Sequence, residues 1–213
     1  MKKYLYLLAI ITSLFVHSAS AKLIGIDTVD GVNSLYTTDW GHAYNTGNGN
    51  EYNAIGRGNP AKAFEVDSTP YSFSSGDRLR ISAWGCTIDD GSSCTGPDYL
   101  GGNFRALPVY SLIGVWSSSM TLISPIDLIS GVNPAFLIGD LLDIVVPDFT
   151  SPLYLFMATN DGGFDDNISN NDIISAYTVQ ISQIPTPSVL WLMLFGLLFR
   201  KPFAKTRLQQ KPA

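Results

Sequence analysis

Between residues 22 and 184 little of the chain keeps the spacing of a helix; short apolar runs recur instead between clusters of Gly, Asn, Asp, Ser and Pro. A chain broken this often leaves few uninterrupted segments long enough for helices, and it is read as all-β. Candidate strands fall at residues 23–27, 63–66, 71–73, 78–84, 111–115, 135–138, 153–158 and 176–181. Within residues 78–84, Arg78, Arg80 and Ser82 alternate with Leu79, Ile81 and Ala83, giving one wet and one buried face. About eight strands of this kind each need cover for an apolar face, and a two-sheet antiparallel sandwich supplies it economically. Residues 122–146 are the one stretch with room for a short helix, restricted by Pro125 and Pro134. Residues 39–60, dense in Gly and Asn, read as a solvated linker, as a few irregular strands or as a long functional loop.

The two ends differ from this body. Lys2 and Lys3 precede an apolar run over residues 4–16, and Ser18, Ala19, Ser20 and Ala21 are small, the pattern of a secretory signal cut after Ala21. Residues 189–199 are apolar and are followed by Arg200, Lys201, Lys205, Arg207 and Lys211, a basic flank that suggests a cytoplasmic end. Between the ends, six Lys and Arg face all eighteen acids, so the exported body carries −12. That charge argues against nucleic acid or polyphosphate as a partner, since both require clustered cations. Cations fit better, and the acids are sixteen Asp against only Glu51 and Glu65, a bias toward turns and short-armed ligands. Plain solubility is the other explanation. The organisation expected is a signal peptide at 1–21, N-terminal strands with the Gly/Asn-rich loop at 22–68, a sandwich at 69–184 and a C-terminal segment at 185–213.

Cys86 and Cys94, the only cysteines, both lie in the exported body. In an oxidising compartment they should pair, closing a small acidic loop with about 2–3 kcal/mol of loop entropy; two free thiols are the alternative. A zinc site needs more ligands than this region offers. Asn160, Asp161, Asp165, Asp166 and Asn167 crowd hard oxygens into one loop after the apolar run at 153–158, as calcium coordination requires. An EF-hand register fails, because Gly163 falls at its third position and Asp166 at its sixth. An irregular hairpin loop at the end of the sandwich is the better picture, with a simple turn as the alternative. Outside the signal the sole histidine is His42, and there is neither a G-x-S-x-G elbow nor a histidine pair, so the chain is read as a non-enzyme. A paired-carboxylate glycosidase is the enzymatic alternative that sixteen Asp leave open. Trp40, Tyr44, Tyr52, Trp84 and Tyr99 are candidates for stacking on sugars, or for the core.

Pro185-Thr186-Pro187 with Ser188, the apolar run and the basic cluster together resemble the PEP-CTERM sorting signal. Thr186 departs from the usual Glu of that family, and eleven apolar residues are short of the ~20 that cross a bilayer. The resemblance implies a Gram-negative exported protein, held transiently in the inner membrane through a sorting helix. An exosortase-like enzyme would then process it at Pro185-Thr186-Pro187 and release it to the periplasm, cell surface or extracellular matrix. An ordinary single-pass tail anchor is the alternative.

A second resemblance spans residues 69–182. Residues 75–85, Gly96-Pro97-Asp98, Leu112-Ile113-Gly114, Phe136-Leu137-Ile138-Gly139, Leu153-Tyr154-Leu155, Asn160-Asp161 and Asp166-Asn167 are similar in order and spacing to the calcium-dependent galactophilic lectins, jelly-roll sandwiches of the galactose-binding type. The stretch 168–175 is longer than the family's link and lacks glycine. Carried over, Asp161, Asp166 and Asn167 would be side-chain calcium ligands, Asp165 would give a carbonyl and Asp89 would complete the shell. The metal would orient sugar hydroxyls, with Asp161, Asp166, Asn167 and Asp98 at the carbohydrate. The expected function is non-enzymatic, calcium-dependent binding of an extracellular polysaccharide or glycan. A structural matrix or surface protein with no sugar ligand is the first alternative, a glycoside hydrolase the second.

Overall fold

The computed structural model describes residues 20–35, 59–89, 93–104, 106–124, 126, 134–161, 167–169 and 173–185. Residues 1–19 of the expected signal peptide at 1–21, the Gly/Asn-rich stretch from residue 36 to 58, and residues 186–213 of the expected sorting segment lie outside the described residues. Within them the chain is all-β. Its strands are β1 (Lys22–Asp30), β2 (Asn33–Ser34), β3 (Asn59–Pro60), β4 (Glu65–Val66), β5 (Thr69–Pro70), β6 (Arg78–Asp89), β7 (Ser93–Thr95), β8 (Leu112–Ser117), β9 (Phe136–Leu137), β10 (Leu141–Val145), β11 (Tyr154–Thr159) and β12 (Ala176–Gln183). No helix among the described residues is long and apolar enough to cross a membrane.

Two sheets dominate. One has the order β1-β12-β6-β10, with β7 added on β6, and the other the order β11-β8-β9; every pair in both is antiparallel. Two short ribbons, β2-β3 and β4-β5, complete the set. The alternation in residues 78–84 marks the buried face as expected: Leu79, Ile81 and Ala83 are buried, as are Tyr177, Val179 and Ile181 of β12 beside them. These side chains share one core with Leu112 and Trp116 of β8 and Leu155 and Met157 of β11. Period-two alternation therefore turns one face of each sheet toward the same apolar interior.

The smaller sheet is buried on both faces. All six residues of β8 are buried. Ile113, Val115, Phe156 and Ala158 point away from the shared core into a second cluster with Leu35, Ala61, Ala63 and Ile123. Residues early in the chain are thus part of the apolar cover of a strand pair more than fifty positions downstream. The stretch 134–146, where a helix had room, forms β9 and β10 instead. In β10, Leu142 and Ile144 pack on the core while Leu141, Asp143 and Val145 face out. Leu141 and Val145 are themselves apolar, which hides the alternation from a sequence reading.

On the outer face of the larger sheet Arg80 and Asp143 form a bidentate pair at 2.7 Å. Both groups are half exposed, so water and salt screen the pair. The hydrogen bond from Arg80 holds the Asp143 carboxyl below the usual carboxylate range. Trp84 lies on the same face, exposed opposite Thr178, so its ring is available to solvent.

Gly85 has φ +103°, and a Cβ there would stand 2.4 Å from the Ala176 carbonyl oxygen. Gly85→Ala is therefore expected to lose about 2–4 kcal/mol, from backbone strain and the clash together. Urea unfolding should show a lower midpoint with an unchanged slope.

Candidate functional site

Among the described residues, most of the buried polar ones gather at the end of the fold opposite Lys22 and Gln183. It is built on the β1–β12 pair: Gly31 N donates to Ser175 O at 2.8 Å, and Ser175 Oγ accepts from Ile88 N at 3.0 Å, tying β6 to the same corner. A Cβ at Gly31 would lie 2.2 Å from Ser175 Oγ and 2.9 Å from Asn167 O, so only glycine allows this approach.

Into this corner come Asp161 and Asn167. Asn167 Nδ2 donates to Asp161 Oδ2 at 2.7 Å and lies 3.3 Å from Gly31 O. Asp161 is 7% exposed and Asn167 fully buried. The donor is a neutral amide, so it orients the carboxylate without neutralising it. With Nδ2 turned to the carboxylate, the amide oxygen points away from it.

Asn160, one residue earlier, faces the other way. Its Nδ2 shares two hydrogens among the carbonyls of Phe104, Leu107 and Pro108 at 2.8–3.0 Å. Its backbone N donates to Ser111 O, and its carbonyl accepts from Tyr110 N. The loop it holds includes Ala106 and Tyr110, both non-glycine residues at positive φ. The Tyr110 ring lies 6.0 Å from that of Tyr99, which is exposed, and Asp98 beside Tyr99 is exposed too.

Behind this loop Tyr177 OH donates to Tyr110 O at 2.6 Å and lies 3.3 Å from Thr95 O. Thr95 Oγ1 donates to Thr87 O, and Thr87 and Thr159 share a buried hydroxyl contact at 2.9 Å. Burial pushes the Tyr177 phenol up to about 12, against the opposing pull of the Thr87, Thr159 and Thr95 hydroxyls. Cys86 and Cys94 are joined across the β6–β7 hairpin, two residues off its register, in which Cys94 faces Ile88, with Cα atoms 5.4 Å apart.

Of the residues expected at calcium, Asp161 and Asn167 are thus in contact. Asp165 and Asp166 lie outside the described residues, as does the side chain of Asp89, whose backbone closes β6 opposite Ser93. Among the described residues no group of three or more acidic, histidine or cysteine side chains is placed to hold a metal. Ala21 is exposed just before β1 and Pro185 is half-buried just after β12, whereas Thr186 and Pro187 lie outside the described residues. So do Trp40, Tyr44 and Tyr52.

Sequence reasoning missed the clamp by Asn160 and the hydroxyl network at Tyr177. A tyrosine on the inward face of an alternating strand was the available signal, since a buried phenol needs an acceptor. Elsewhere Asp27, Asp30 and Glu65 line a cavity of about 120 Å³ with Lys62. Asp27 there accepts backbone donors from Thr28 and Glu65 at 2.7 and 2.9 Å. Neither the protein-family models nor the curated proteins contain a match to this chain, so the functional reading stands on sequence pattern and geometry.

Two outcomes follow for this corner. Asn160→Ala strips donors from three part-buried carbonyls and is expected to cost about 1–3 kcal/mol, with faster amide exchange at Tyr110. For Tyr177, the folded chain holds its proton to about pH 12 where an unfolded chain releases it near 10. The resulting stabilisation of about 2–3 kcal/mol is complete below pH 10 and lost as pH rises through 12, a decline that melting curves should record and that Tyr177→Phe should flatten.

Proposed function

We propose that this chain is an exported, non-enzymatic protein whose two sheets form a sandwich of the galactose-binding type, and that it binds calcium and, through calcium, carbohydrate. The observation that carries the reading is the buried contact between Asp161 and Asn167, two residues that the lectin resemblance singles out. The core shared by β6, β12, β8 and β11 supports the sandwich. The exposed Tyr99 and Asp98, linked to Asn160 through Tyr110, supply an apolar ring and a hydroxyl acceptor beside the corner. Sugar recognition commonly uses both kinds of surface.

Calcium takes six to eight oxygens at flexible geometry. Asp161 and Asn167 would hold it, with Asp165, Asp166 and Asp89 as further ligands by their sequence position. When bound, the ion supplies a hard positive centre for vicinal hydroxyls. The chain's part is to bury Asp161, to fix Asn167 against it and to keep Tyr99 in place through Asn160 and Tyr110. The likeness to PEP-CTERM signals extends the reading: export through residues 1–21, transient anchoring by residues 189–199, and processing at Pro185-Thr186-Pro187 by an exosortase-like enzyme. The site of action is then the outer surface or matrix, and the partner an extracellular polysaccharide.

Thermal melting in EDTA, calcium and magnesium tests this directly. Calcium at a hundred times its dissociation constant should stabilise the chain by about 2.7 kcal/mol, and magnesium at the same concentration by much less. Asp161→Ala should abolish both the calcium shift and retention on a polysaccharide column. Retention by that variant in EDTA would sink the mechanism. A calcium shift with no glycan retained would favour a structural surface protein, and turnover of a polysaccharide a hydrolase.

A further inference from the structure

The antiparallel register of β1 with β12 sets Lys22 opposite Gln183 at one end of the fold and Asp30 opposite Ala176 at the other. Lys22 is the first residue after the expected signal cut, and Gln183 is the last residue of the strand that leads into Pro185. Both junctions with membrane-directed segments thus leave from the same end. The Asp161–Asn167 corner is bonded to Gly31 and Ser175, at the opposite end. The nine residues of β1, eight steps of about 3.2–3.4 Å, separate the two ends by about 26 Å.

The path out of the fold is short. Ile184 N donates to Arg78 O at 2.7 Å, and Gln183 Nε2 donates to Asp77 Oδ1 at 3.1 Å, so the chain is fixed to the sheet through Ile184. Pro185 still lines a cavity with Lys22, Asp77 and Arg78. Only Pro185, Thr186, Pro187 and Ser188 intervene before the apolar run that begins at Val189. Four residues reach at most about 14 Å, roughly half the length of β1. Two prolines further limit how that link can fold back.

The geometry points to an upright display. While residues 189–199 are held in a bilayer, the end bearing Lys22, Asp77, Arg78 and Gln183 faces the membrane and the Asp161 corner faces away from it. The ligand of that corner is then a polysaccharide reaching in from the outside, not a headgroup of the membrane that holds the protein. This rests on the anchoring and carbohydrate readings given above.

The test uses the full chain in lipid nanodiscs, with and without a nitroxide spin label on the headgroups, and reads the loss of amide NMR signals. Signals of Asp77, Arg78 and Ile184 are expected to lose most of their intensity, while those of Gly31, Asn160 and Asp161 keep theirs. Insertion of twelve Gly and Ser residues between Ser188 and Val189 is expected to even out the two sets, because the link then no longer restricts tilt. Equal broadening at both ends in the native chain, or stronger broadening at Asp161, overturns the upright display. A contrast that survives the insertion overturns the short link as its cause. A chain that stays free of the discs overturns the anchoring reading and the inference with it. Glycan binding is scored separately on the same discs: failure to bind a polysaccharide, with the broadening contrast intact, overturns only the ligand assignment.

Discussion

β12 has no free edge. It is paired along its length with β1 on one side and β6 on the other, and its inward residues Tyr177, Val179 and Ile181 lie in the shared core. A slip of one residue would turn those three outward and bring Thr178, Gln180 and Ser182 into the apolar interior, so burial fixes the register strongly. Much else depends on that register. It places Gly31 on Ser175, which Asn167 and Ile88 then join, and it sets Lys22 against Gln183 at the far end. The polar corner and the shared exit of the two chain ends are consequences of one pairing.

The smaller sheet imposes a different constraint. A strand pair with apolar side chains on both faces cannot border water on either, and here the larger sheet covers one face only. Leu35, Ala61, Ala63 and Ile123 cover the other, which ties the residues around β2 and β3 to β8 and β11. Aromatic rings fill the interior between the sheets: Phe73 meets Trp116 edge-on at 5.4 Å, and Trp116 stacks on Phe136 at 6.1 Å. Such pairs add to their area burial by about 0.5–1.5 kcal/mol each. Trp116 Nε1 is buried with no hydrogen-bond partner among the described residues, a cost of about 1–3 kcal/mol that the surrounding packing has to exceed.

How much of this was legible in the sequence follows from how local each signal is. Alternation along residues 78–84 and 176–181 is local, and the strands and their buried faces follow from it. Two cysteines eight positions apart, with no third cysteine to compete, gave the Cys86–Cys94 bond. The crowding of Asn and Asp at residues 160–167 drew attention to this stretch, but not to the separate partners of Asn160 and Asn167. Asn160 bonds to carbonyls more than fifty positions away and Asn167 to one that is 136 positions away, and no sequence window holds both partners. β10 escaped notice because two of its outward residues are apolar, so its period of two was invisible in composition.

Neighbouring residues at the end of a strand point to opposite sides, and Asn160 and Asp161 sit just past the last residue of β11. One reaches the loop at 104–108 and the other reaches Asn167, so the two environments cannot move independently: a shift of either drags the backbone they share. The loop on the Asn160 side holds Ala106 and Tyr110 at positive φ, a conformation that costs about 1–3 kcal/mol per residue and persists only under restraint. The restraint comes from Asn160 and from the Tyr177 hydroxyl on the Tyr110 carbonyl. Whatever draws on the Asp161 carboxylate therefore also bears on the position of Tyr110 and of the Tyr99 ring beside it. Asp161 and the Tyr99–Tyr110 ring pair are joined through two consecutive residues, Asn160 and Asp161, which share one stretch of backbone.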